Sequence, residues 1–269
     1  MSSPAEGLAA EWARTWAFAH RNLIMLRRNL FFVAELVFWP GVAMLSLGLL
    51  TRFLHLPAET ISFILIGTIT LSTVQVCQLD VAYAVIFDLW SKSLRHQFLA
   101  PVAVHQLAIG SWLIGVARGL SVFTLMTLVG SAAFGFDVMR GGWINLVVFL
   151  IGCFLTALMI GLMVCTLVLL FGSQAETLAW TSVSVIVMLA GVYYPISVLP
   201  VWARVISAAI PLSYFLDAFR SAYGFEPHFP HPVARGLVLS GLYLVLAHWA
   251  LASAVMRARR TGLLLRLSA

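Results

Sequence analysis

Apolar residues in this chain gather into long stretches, and most charged residues fall between those stretches. Six stretches reach the roughly 20 predominantly apolar residues that a helix needs to cross a bilayer. They cover about residues 31–53, 60–83, 104–134, 143–171, 176–198 and 235–256. Pro40 predicts a kink in the first. Leu56-Pro57, the segment 137–142 and Gly172-Ser173-Gln174 read as short connections. The pattern predicts an all-α membrane protein in which residues 1–269 form one transmembrane domain of six helices.

Two segments carry a different pattern. At 100° per residue, Leu8, Trp12, Trp16, Ala19, Leu23 and Leu26 share one stripe, and Arg14, Arg21 and Arg28 lie opposite. That predicts an amphipathic helix over 8–28 lying among lipid headgroups, either as a plain anchor or with a further task. Between the second and third spans, Phe87, Trp90, Leu94 and Phe98 fall on one helical face, and Asp88, Lys92, Arg95 and His96 on the other. Ala100-Pro101 closes the segment. An aromatic stripe on a short interfacial helix suits a groove on a partner protein, and an ordinary basic loop is the plainer alternative.

Composition sets the solvent. The chain is 62% hydrophobic and 10% charged, against about 25% charged in soluble domains. Its exterior therefore faces lipid. The net charge of +6 follows the positive-inside pattern, which accounts for it without any nucleic-acid partner. With the N-terminus inside, the cytoplasmic segments hold Arg14, Arg21, Arg27, Arg28, Lys92, Arg95, Arg257, Arg259, Arg260 and Arg266. The outer segments hold half as many: Arg52, Arg140, Arg204, Arg220 and Arg235. Both termini are expected in the cytoplasm.

Few residues offer chemistry. Arg118 sits about fourteen residues into the third span, near mid-membrane at 1.5 Å per residue. Such a charge needs a partner or water. Glu35 and Asp80 fall near the cytoplasmic interface on this reading, so neither carboxylate meets it. Arg118 serves either an anionic substrate group or a contact with helix carbonyls. Gly115 and Gly119 around it permit close helix approach. Tyr193 and Tyr194, with Phe38, Trp39 and Trp202, form an interfacial belt or touch sugar rings and acyl chains. Cys77, Cys153 and Cys165 lack ligand spacing, and the prolines around His228 and His231 disfavour a metal site, so none is expected. There is no Gly-x-x-x-x-Gly-Lys phosphate loop, no Gly-x-Ser-x-Gly elbow and no His-Glu-x-x-His. The chain is not expected to be an enzyme by itself.

Three motifs carry a family resemblance: Phe98-Leu99-Ala100-Pro101-Val102-Ala103, Tyr194-Pro195-Ile196-Ser197-Val198-Leu199-Pro200 and Pro211-Leu212-Ser213-Tyr214-Phe215-Leu216-Asp217-Ala218-Phe219-Arg220. With the amphipathic start and six spans, the chain resembles the permease subunit of type-two ATP-binding-cassette exporters, which move drugs, nodulation factors or polysaccharides. It departs from that family after the second span, where Asp88-Leu89-Trp90-Ser91-Lys92-Ser93 replaces the frequent Glu-Arg-Glu-x-Gly-Thr. The resemblance implies a homodimer in a bacterial inner membrane, joined by two copies of an ATPase subunit that binds ATP and Mg; this chain would hold no cofactor. It implies a coupling helix carrying Asp88, Trp90, Lys92, Leu94, Arg95 and Phe98. It also implies short outer helices within 201–223 and a translocation path past Arg118, Tyr193, Tyr194 and Tyr214. The expected function is ATP-driven outward transport of an amphipathic substrate: a drug, a lipid or a lipid-linked glycan. A permease-like signalling or assembly subunit, or a membrane-embedded enzyme, is the alternative.

Overall fold

The computed structural model describes residues 4–28, 30–92, 104–175 and 177–260, which are helical through most of their length. The α-helices are α1 (Pro4–Arg28), α2 (Leu30–Phe53), α3 (Ala58–Trp90), α4 (Val104–Phe134), α5 (Trp143–Phe171), α6 (Thr177–Leu189), α7 (Val201–Ser207), α8 (Pro211–Ser221) and α9 (Pro232–Arg260). Among the described residues, α2, α3, α4, α5 and α9 are long and apolar enough to cross a membrane. A sixth crossing is reached if α7 and α8, bent by 92°, count together.

α3 is the central post. It packs against α2, α4, α5 and α6, and it is the most enclosed of the long helices. It runs to Trp90, past the 60–83 span expected from the sequence. Its 33 residues extend for about 50 Å at 1.5 Å per residue. The extension has an electrostatic cause. Asp88 lies in the extension and Asp80 just before it, and each meets an arginine, Arg21 and Arg118. Pairing removes the cost of carrying those carboxylates on a buried helix. The helix stops where Lys92 takes a left-handed φ of 54°.

The fifth expected span, 176–198, is corrected. α6 has 13 residues, about 20 Å of helix, and a bilayer core is about 30 Å thick. Gly191, at φ 68°, turns the chain, and Pro195 and Pro200 keep it irregular. The turn rests on α3, with the Val192 carbonyl against Gly67, where a Cβ would collide with it. Gly67 is nine residues from the start of α3, roughly 14 Å along its axis. The chain therefore reverses inside the bundle. The short helices expected within 201–223 are present as α7 and α8. α8 wedges Phe215 against Gly152 of α5, and Phe219 stacks on Phe149 with centroids 4.3 Å apart.

At the opposite end, α1 lies against the start of α4. Thr15, Ala19 and Asn22 are buried, and a Cβ on Gly110 would come within 2.6 Å of the Thr15 carbonyl oxygen. Trp12 and Trp16 stay exposed. The expected stripe thus divides: its small residue Ala19 faces protein, and its tryptophans face outward where headgroups would lie.

Candidate functional site

Three places concentrate polar chemistry. The first is at membrane depth. Arg118 of α4 pairs with Asp80 of α3, correcting the expectation that no carboxylate reaches it. The longer α3 explains the difference: Asp80 lies ten residues before the helix end rather than at a loop. Two glycines make the pair possible. A Cβ on Gly115 would come within 2.8 Å of the Cys77 carbonyl oxygen, and one on Gly119 within 3.4 Å of the Thr73 carbonyl oxygen. α4 thus lies backbone-close to α3 on both sides of Arg118. Trp112 fixes the other flank by donating its indole N–H to the Phe154 carbonyl at 2.9 Å. Gly115→Val is therefore expected to push the helices apart and lower the yield of folded protein severalfold. Gly241→Ala on α9, with open space around its Cβ position, should leave the yield unchanged; solubilised yield and size-exclusion profile check both.

Arg118 also forms part of the wall of a cavity of about 500 Å³ between α2, α3 and α4. Ser72 and Gln75 add polar groups, while Leu36, Pro40 and Leu79 keep the remainder apolar. Trp39 flanks the cavity and is 63% exposed, so one side opens to lipid. A membrane-level chamber with an ionic wall and an apolar body matches an amphiphile.

The second place is the Trp90 end of α3. Tyr83, Phe87 and Trp90 form a ladder, with Tyr83 and Phe87 stacked at 4.8 Å and Phe87 and Trp90 tilted at 5.5 Å. Trp90 remains 52% exposed. Asp88 does not begin a separate interfacial helix. It lies in the last turn of α3, buried, and accepts from the Arg21 guanidinium at 3.2 Å. Arg21 also donates to the Ala84 carbonyl at 3.4 Å, and Asn22 donates to the Ser111 hydroxyl at 2.8 Å. α1 thus ties the end of α3 to the first turns of α4, the two flanks of residues 93–103. Lys92 closes α3. Leu94, Arg95 and Phe98 lie outside the described residues.

The third place is the turn after α6. Arg220 of α8 is 6% exposed, and its guanidinium donates to the Gly191 carbonyl at 2.7 Å, to the Val192 carbonyl and to the Phe63 carbonyl at 3.3 Å. It also stacks over the Phe63 ring at 3.5 Å. Irregular backbone at this depth needs internal donors, and this arginine serves two of its carbonyls while its third bond ties it to α3. Tyr214 is buried and donates to the Ala208 carbonyl at 2.7 Å, so it braces the bend between α7 and α8. Tyr194 donates to the Met188 carbonyl. Tyr193 is partly buried, with its hydroxyl beside Thr68. None of these tyrosines lines the Arg118 cavity, so the four expected path residues do not share one chamber. Asp80 and Arg220 carry structural chemistry that the sequence reading did not assign. The i, i+4, i+7 alignment of Tyr83, Phe87 and Trp90 was the signal that α3 continues past residue 83.

Among the described residues, no group of three His, Cys, Asp or Glu side chains is placed to hold a metal ion. Residues 13–223 match the family described as ABC-2 type transporter. A protein of Archaeoglobus fulgidus, described only as an uncharacterized protein, is 32% identical over 62 residues, which span 23% of this chain and 97% of that protein.

Proposed function

This chain belongs to the ABC-2 type transporter family, as the match over most of its length establishes, and from that premise we propose that it is the membrane half of an ATP-driven exporter. It is a multi-pass permease domain, and the family's ATP hydrolysis falls to a separate nucleotide-binding subunit. The proposal concerns direction, substrate and coupling. Two copies of the chain with two ATPase subunits move an amphipathic substrate outward across a bacterial inner membrane, with both termini cytoplasmic. The substrate is a drug, a lipid or a lipid-linked glycan. ATP and Mg are held by the partner.

The observation that carries the reading is Arg118, paired with Asp80, on the wall of a lipid-open cavity. A charge pair at membrane depth is retained at a desolvation cost, and an adjoining chamber gives it a use. The pair anchors α3 to α4, and the side of Arg118 facing the cavity attracts the polar head of an amphiphile. The acyl or ring portion rests on the apolar wall of α2.

Coupling starts at the Trp90 end. The partner grips Trp90 and the segment with Lys92, Leu94, Arg95 and Phe98. Asp88 contributes from inside, by fixing α1 through Arg21. Nucleotide binding shifts the balance between two arrangements of the bundle, and α3 carries the shift because it runs from the grip to the turn at Val192. Trp90→Asp combined with Leu94→Asp is expected to cut ATP-dependent transport at least tenfold, while thermal stability changes by less than 2 °C. Reconstituted vesicles containing both subunits provide the test, and undiminished transport by the double variant refutes the coupling assignment.

A further inference from the structure

α9 packs against α5 and α8, and its outward face is exposed along Ala234, Val238, Gly241, Val245 and His248. His248 lies 13 residues after Arg235 and 9 before Arg257, which is roughly 20 Å and 14 Å along the helix. Those arginines bound the apolar part of α9, so the imidazole sits within about 3 Å of the middle of the bilayer. No hydrogen bond or ion pair holds it among the described residues. An imidazole lacks the long stem by which lysine and arginine reach the headgroups. Set against acyl chains, its nitrogens go unsatisfied at high cost. We propose that this face docks a transmembrane helix of a separate membrane protein, and that the docked helix carries one carboxyl group at its midpoint.

The spacing of the face supports a helix as its occupant. Its five positions recur at intervals of four and three residues, the period of a seam into which a second helix packs its side chains. Gly241 lies at the centre of the seam with nothing within 4 Å of its Cβ position, so a neighbouring backbone can approach closely there. Exposed Leu242 and Trp249 border the seam and add apolar surface. The chemistry of His248 selects the polar group. Neutral imidazole holds one donor and one acceptor, and imidazolium holds two donors. A carboxylic acid matches the first and a carboxylate the second, so the pair carries no net charge in either state. A second copy of α9 would set imidazole against imidazole, which repel when charged and share one bond when neutral. α9 starts at Pro232, beyond the residues 13–223 that match the transporter family, so this face is read from this chain alone. The inference requires that α9 crosses the membrane and does not depend on export.

The full chain, with the photo-crosslinker benzoylphenylalanine at position 245, is reconstituted in phosphatidylcholine vesicles. Leucine–alanine peptides of about 23 residues, long enough to span the bilayer, are added with either Glu or Leu at the centre. Crosslinking to the Glu peptide is expected to exceed that to the Leu peptide at least fivefold. His248→Leu should remove the preference. His248→Gln, whose amide donates and accepts, should keep most of it. Position 248 is exposed, so both variants should fold in native yield. Asp80→Leu combined with Arg118→Met should keep the preference while losing export of a phosphate-bearing substrate, which separates docking at α9 from the export reading. Equal crosslinking of the two peptides overturns the proposal. So does a preference that survives His248→Leu, or one that disappears with the Asp80 and Arg118 charges. Crosslinks between two copies of the chain at position 245 that the Glu peptide fails to displace assign the face to a second copy, and they overturn the proposal as well.

Discussion

Asp80→Ala is expected to be the most damaging single substitution in the bundle, costing about 3–5 kcal/mol because it strands the Arg118 charge at membrane depth. Asp80 is 4% exposed, so water reaches the vacated position poorly. Arg118→Met on the native background leaves the opposite charge stranded and should cost a similar amount. The double variant Asp80→Leu with Arg118→Met removes both charges, and most of the folded yield and melting temperature is expected to return. Export of a phosphate-bearing substrate should not return with it, because the cavity then lacks its cation. Differential scanning fluorimetry and vesicle transport together separate the two roles. A double variant as unstable as either single one means that the pair is not what each charge relies on.

Arg220→Lys is expected to destabilise the protein by about 3 kcal/mol, despite keeping the charge. Hydrogen bonds to charged groups contribute about 1.5–3 kcal/mol each. The arginine fork reaches the Gly191, Val192 and Phe63 carbonyls together and lies flat on the Phe63 ring. An ammonium is a compact point charge that cannot match this planar geometry. The freed Gly191 and Val192 carbonyls sit where the chain turns beside α3, so the segment 190–200 should become the first region to open. Hydrogen exchange by mass spectrometry reads that directly. A lysine variant with native melting temperature and native protection over 190–200 would show that the turn holds without the fork.

Much of the architecture was legible from hydrophobic runs alone. Spans 104–134 and 143–171 coincide with α4 and α5, because their ends carry strong signals: Ala100-Pro101 ahead of one, and the Asp137 cap and Gly142 between the two. The reading failed where a polar residue has a distant partner. Asp80 and Asp88 look like the approach to a loop until Arg118 and Arg21 are brought beside them, and no local pattern announces contacts 38 and 67 residues away. The opposite error occurred at 176–198. That run is mostly apolar, so hydropathy reads a span, yet Gly191 and Pro195 turn the backbone and Arg220 satisfies it. Among the candidate site residues, Trp90 was legible from its aromatic spacing and is exposed as a contact surface requires. Arg118 was legible as an intramembrane charge, whereas its partner was not. Tyr214 was expected on the translocation path from the family resemblance alone. Its hydroxyl donates to the Ala208 carbonyl, which braces the bend between α7 and α8.

In the proposed exporter this chain is the membrane half, and energy arrives through the Trp90 end. Purified chain is reconstituted in vesicles with a fluorescent phospholipid bearing a phosphate headgroup, with and without its ATPase subunit and Mg-ATP. Lipid translocation is predicted only when both the ATPase and nucleotide are present, and Arg118→Met paired with Asp80→Leu should abolish it. Net translocation at the same rate by the chain alone, with no companion and no nucleotide, would contradict the account.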